Sequence, residues 1–162
     1  MAKIHMPAVL ELGKQLGALV GKTAICSESA TPNTFEESCH TARYLTRDDQ
    51  LVGLCQVDLS IAAALGASLA MIPVGAADDA VKEGDLGANL TDAYSEVANI
   101  MAGLLCADDS PHVRWTNIAA NLGALTDADK VILNSPANRV DVEVEIDGYG
   151  GGKMTLLVVD SE

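Results

Sequence analysis

LVGLCQVDLSIAAALGASLAMI, residues 51–72, changes character part-way along. Leu51–Val57 is an apolar run of strand length, and from Asp58 the composition turns to Ala with Leu and Ile. Leu59 to Ala77 holds no charged residue and is the one place where a membrane span could be proposed. Pro73 should end a helix that starts near Asp58, which leaves roughly fourteen helical residues, too few to cross a bilayer. The stretch reads as a strand followed by a buried packing helix, with Gly66 and Ser68 as small residues for close approach.

Upstream, Val9, Leu12, Leu16, Leu19 and Val20 keep helical spacing behind Pro7, and Gly21 is a stop signal. Two further strand-like runs follow at Thr23–Ser27 and Cys39–Leu45, with turns at Asn33 and over Thr46–Gln50. Downstream, a polar connector is expected over Gly75–Gly87, then a helix from about Leu90 to Cys106. A loop over Ala107–Pro111 leads to strands at Val113–Ile118 and Lys130–Leu133, separated by a small-residue loop through Asn121 and Gly123. At the end Val140, Val142, Val144 and Ile146 alternate with acidic residues, and Gly148–Gly152 turns the chain into Met154–Val159. The expected architecture is one α/β (α+β) domain over residues 1–162.

Length and charge bound the function. At 162 residues a chain buries roughly 70% of its unfolded surface, so a core needs no staples. Aromatics are only 3% of residues, which predicts a core of Ala, Leu, Val, Ile and Met. A formal charge of -13 disfavours binding to nucleic acid or to an anionic membrane. Cys26, Cys39, Cys55 and Cys106 show no C-x-x-C spacing and no secretory leader precedes them, which points to reduced thiols in a cytoplasmic protein, without a metal site.

Within the second central helix, Asp92, Glu96 and Asn99 stand at i, i+4 and i+7, within roughly 60° of one another on one face. Gly103 continues the stripe without a side chain, and Ala93, Val97, Ile100 and Leu104 fall on a neighbouring apolar face. A carboxylate and a carboxamide one turn apart offer an anion that pairs with a cation and an amide that orients a water. The same three residues are equally an ordinary wet face of an amphipathic helix.

Residues 92–103 read DAYSEVANIMAG, and at EVANIMAG the chain resembles the CheC, CheX and FliY family of chemotaxis phosphatases, whose signature is E-x-x-N on a helix followed by small residues. VLELGKQLGALVGKTA resembles that family's opening helix and first strand, and residues 50–71 resemble its strand and Ala-rich helix. The resemblance implies a CheC-like fold, a mainly antiparallel sheet packed with an N-terminal helix and two central helices. It also implies dephosphorylation of a phosphorylated CheY-type response regulator, which brings both its aspartyl phosphate and its Mg2+; the phosphatase needs no cofactor of its own. Asn99 matches the amide that positions the attacking water, and Glu96 the acid that pairs with a regulator lysine. Asp92 matches an Asp or Ser found four residues earlier in some members, and Gly103 leaves room for the partner.

The chain also departs from that pattern. The opening helix has Glu11 followed by Lys14 where a second site would need Asn, so one site is expected. Leu122 stands where some members place Pro, which favours the CheX-like branch and, by resemblance, a homodimer with the last hairpin as a candidate edge. The alternative is a non-catalytic CheX-like module for regulator binding or dimerisation.

Other tempting residues have ordinary explanations. His5, His40 and His112 lie far apart, Ser110 lacks a G-x-S-x-G frame, and Gly148–Gly152 lacks the Lys and Ser or Thr of a phosphate loop. Trp115 is expected to cover the core. The acidic residues Asp141, Glu143, Glu145 and Asp147 read either as a solvated strand face or as a guide for a basic partner.

Overall fold

The computed structural model describes residues 2–107 and 110–161; residues 108 and 109 of the expected Ala107–Pro111 loop lie outside them. Among the described residues, eight strands and five α-helices follow in the order β1 (Ala2–Lys3), α1 (Val9–Val20), β2 (Ala24–Glu28), β3 (His40–Thr46), β4 (Leu51–Val57), α2 (Leu59–Ala70), α3 (Val74–Glu83), α4 (Gly87–Met101), β5 (Val113–Ala119), α5 (Asp127–Asn134), β6 (Asn138–Ile146), β7 (Gly150–Val158) and β8 (Asp160–Ser161). Six strands form one antiparallel sheet, ordered β2-β6-β7-β4-β3-β5. β1 and β8 pair separately.

The caps explain where the helices begin and end. Gly21 closes α1 at φ 70°, a left-handed conformation that glycine adopts without a Cβ penalty. Asp58 caps α2 by accepting the Ile61 amide at 2.9 Å, and the same carboxylate accepts the Lys153 amide at 2.9 Å, tying the helix start to β7. A Cβ at Gly152 would collide with that carboxylate, so this glycine of the hairpin serves the cap from within β7. The helix ends at Ala70, before Pro73, and Pro73 caps α3 instead.

α1, α2 and α4 cover one face of the sheet. Leu12 and Leu16 of α1, Ile61 and Leu65 of α2, and Tyr94 and Val97 of α4 are fully buried there against Val142, Cys55 and Met154. Tyr44 and Tyr94 lie at 0% exposure, so two aromatic rings enter a core that the composition predicts to be aliphatic. Trp115 is half-buried against the same cluster, as expected.

On the opposite face α5 sets Ile132 over Leu54 and Leu157, which pair across β4 and β7. Arg43 anchors this helix: its guanidinium donates to both Asp129 carboxylate oxygens at 2.8–3.0 Å and to the Ala124 carbonyl at 3.1 Å. β4 is therefore buried on both sides, which accounts for an apolar run interrupted only by Gln56, whose amide donates to Thr41.

Four expectations are corrected. Lys130–Leu133 is helical rather than extended, because Thr126 and Asp129 form a reciprocal capping box that starts α5 just before it. The expected Gly75–Gly87 connector contains α3, held by Ala77 and Ala80 against the core. The last hairpin is not an edge: β6 lies between β2 and β7, and β7 between β6 and β4, so the sheet ends at β2 and β5. Its glycine turn is confirmed, with Gly148 at φ 80° and Gly150 at φ 92°. Asp141 does not belong to a free acidic face, because it accepts from Arg139, from the Asn33 amide and from Thr155, whereas Glu143 and Glu145 are exposed.

Candidate functional site

α4 is fixed on its inner side and free on its outer side. Tyr94, Val97, Ala98 and Met101 are buried, and Asp92, Glu96, Asn99 and Gly103 are exposed together as the spacing predicts. Among the described residues, none of the ion pairs engages Asp92 or Glu96. Both carboxylates face outward on a helix whose other side cannot move independently of the core.

Ile100 departs from the expected apolar face. It is 48% exposed and stands beside Asn99, while Ala93 and Leu104 are half-buried and Val97 is buried. A hollow of about 470 Å³ opens next to it between α1 and the end of α4, with Glu11, Gln15, Ile100 and Gly103 on its walls. A second hollow of about 470 Å³ lies between α2 and α4, where Leu69 and Ile72 face Asp92 and Glu96. The polar stripe thus has apolar side chains at both flanks.

Gly103 lies in a 3-10 turn, Ala102–Leu105, that continues α4. A Cβ there would meet nothing within 4 Å, so no internal packing calls for a glycine at this position. Opposite, Glu11 of α1 is 3.5 Å from His5.

Tyr44, which the sequence reading did not single out, and His40, which it set aside, support α4 from beneath. Tyr44 of β3 donates its hydroxyl to the Ala98 carbonyl at 2.7 Å, and His40 meets the Tyr94 ring edge-on with centroids 6.5 Å apart. Burial pushes both tyrosine hydroxyls well above their ordinary pKa, so Tyr44 acts as a donor. Only the alternation of β3 hinted that Tyr44 faces inward.

The other candidates have structural places. All four cysteines are free thiols; Cys39 and Cys55 are buried, Cys26 and Cys106 half-buried. Burial pushes the Cys26 and Cys39 thiols up to about 11 and the Cys55 thiol to about 12, which leaves them protonated and unreactive at neutral pH. The Ser110 hydroxyl is engaged with the backbone of Ala107. No group of three or more metal-ligating side chains occurs among the described residues. No helix of the described residues is long and apolar enough to cross a membrane.

No family model matches the chain, and no curated protein matches it. Solved structures do. A chain of the CheX-CheY-BeF3-Mg2+ complex from Borrelia burgdorferi superposes with a TM-score of 0.53 over 94% of this chain and 96% of its own, at 12% identity. The chain has the CheC/CheX/FliY-type fold. Thermotoga maritima FliY matches with a TM-score of 0.50 over 92% of this chain and 82% of its own at 13% identity. The FliM middle domain from H. pylori gives 0.50 over 93% and 84% at 10% identity. At these identities the likeness is one of fold, and the CheC/CheX/FliY-type fold is the one that EVANIMAG and the order of elements imply.

Proposed function

We propose that this chain is a CheX-like phosphatase that hydrolyses the aspartyl phosphate of a CheY-type response regulator. The observation that carries this reading is the joint exposure of Glu96 and Asn99, one turn apart on a helix locked from beneath. The solved CheX-CheY complex of the same fold supports a regulator as the partner.

In this reading Glu96 pairs with a regulator lysine and sets the helix against the regulator's site. Asn99 then inserts its carboxamide beside the phosphoryl group, accepting from a water while its amino group donates to an oxygen. The water oxygen bonds to phosphorus as the bond to the aspartyl oxygen breaks, releasing inorganic phosphate and the free carboxylate. Mg2+ belongs to the regulator and neutralises phosphoryl charge there. Because phosphoryl transfer depends chiefly on positioning and charge stabilisation, an oriented amide and an anchoring carboxylate suffice without a nucleophile on this chain. Asp92 extends the anionic stripe towards the same partner. In this reading the chain works in the cytoplasm alongside such a regulator. The proposed assembly is a homodimer, for which β2 provides an open sheet edge.

Phosphate release from a phosphorylated CheY-type regulator tests the proposal, with the Glu96→Ala/Asn99→Ala double variant as the control. Acceleration by the wild-type chain that the double variant lacks supports it. Equal acceleration by both overturns the site, and tight binding without acceleration replaces the enzyme by a docking module.

A further inference from the structure

We infer that Tyr44 is a positioning residue whose hydroxyl sets where α4 tightens, and thereby fixes the bearing of Asn99. The role assigned to Asn99 rests on the phosphatase reading; the helix geometry does not.

In a continuous α-helix the Ala98 carbonyl accepts from the Ala102 amide. Here the Ala102 N–H is directed at the Asn99 and Ile100 carbonyls instead, and the 3-10 turn begins. Ala98 is fully buried, and a carbonyl stranded there without a donor would lose its hydration with nothing in return. The Tyr44 hydroxyl takes the place of the missing amide at 2.7 Å. Asn99 therefore stands in the last turn of α4, directly before the tightened Ala102–Leu105 stretch that holds Gly103.

β3 is shaped for this contact. Its pairing with β5 shifts register between Arg43 and Tyr44, and its pairing with β4 shifts between Tyr44 and Leu45. Irregularities on both sides of one residue re-aim its side chain relative to a regular strand. The side chain so aimed is fully buried and ends on the α4 backbone one residue before Asn99.

Tyr44→Phe keeps the ring and removes only the donor. Without the hydroxyl, the Ala102 amide recaptures the Ala98 carbonyl, and Asn99 turns relative to Glu96. The variant is expected to bind a beryllofluoride-activated regulator within about twofold of wild type while its maximal turnover falls about tenfold, the pattern of lost orientation. Through-hydrogen-bond NMR coupling between the Ala102 nitrogen and the Ala98 carbonyl carbon is expected to be absent in wild type and present in the variant. Unchanged turnover in Tyr44→Phe beside an active wild type overturns the inference, as does an unchanged coupling pattern. If the wild-type chain discharges no regulator, the phosphatase reading fails, and the coupling alone then decides whether Tyr44 sets the helix. A variant that does not fold leaves the wild-type spectrum decisive, because an Ala98–Ala102 coupling there contradicts the inference directly.

Discussion

Gly66 of α2 faces the backbone of Tyr94 on α4 so closely that a Cβ on it would lie 3.2 Å from the Tyr94 nitrogen and 3.1 Å from the Leu90 carbonyl oxygen. Both atoms are backbone, so neither can step aside as a side chain would. Replacing Gly by Ala within a helix is worth about 1 kcal/mol by propensity, but overpacking a core contact costs about 1–3 kcal/mol. We expect the second effect to win in Gly66→Ala, with a net loss of about 1 kcal/mol in denaturant unfolding and lowered turnover because α4 is displaced. A stabilised and fully active variant would show that the two helices are not closely seated.

Gly103 presents the opposite case, since a Cβ there meets nothing. Gly103→Ala is expected to change stability by no more than about 0.5 kcal/mol. If the bare position leaves room for a partner, regulator binding nevertheless weakens, and a titration with the activated regulator measures it. Unimpaired binding would remove Gly103 from the interface.

Asp129 gives the fold an acid-sensitive joint. Burial alone would raise its carboxyl, but hydrogen bonds from Arg43 and Thr126 outweigh this and hold it below the usual carboxylate range. A folded value below the unfolded one of about 3.9 means that the stabilisation is present above that pH and is lost as pH falls through the folded value. Asp141, held down by Arg139, Asn33 and Thr155 against the same effect of burial, acts in the same direction. Arg43→Met leaves the fully buried Asp129 without its cation and is expected to cost about 3 kcal/mol at pH 7. Its deficit should shrink in acid, as protonation of Asp129 relieves the unpaired charge. Parallel pH profiles for variant and wild type would contradict this assignment.

Sequence periodicity located what depends on local pattern. β4, β6 and β7 declare themselves through apolar runs and strict alternation, and α2 through its Asp58 cap and Pro73 stop. α5 was hidden because Val131-Ile132-Leu133 has the side-chain shape of a strand, and its capping box uses Asp129 where Glu or Gln is the familiar signal. α3 was hidden because Ala77 and Ala80 are its only buried residues, too weak a stripe to mark a helix. At the site, spacing alone placed Asp92, Glu96, Asn99 and Gly103 on one exposed face. It misplaced Ile100, because the burial line of α4 runs through Tyr94, Val97, Ala98 and Met101 and leaves Ile100 at the rim of the hollow beside α1. Gly66 was legible as a small residue for close approach, and the structure names α4 as the neighbour, whereas Tyr44 acts through strand register, which exists only once distant segments have met.

The lifetime of a phosphorylated CheY-type regulator in Mg2+, with the wild-type chain and with Asn99→Ala, tests the central claim most directly. The account predicts a shortened lifetime with the wild type and a loss of about a hundredfold in that acceleration with Asn99→Ala, the order of magnitude for removing one preorganised group at a transition state. Because Asn99 is exposed, circular dichroism and melting of the variant should match the wild type. A regulator discharged equally fast by Asn99→Ala, or one that binds wild-type protein with no change in lifetime, would contradict it.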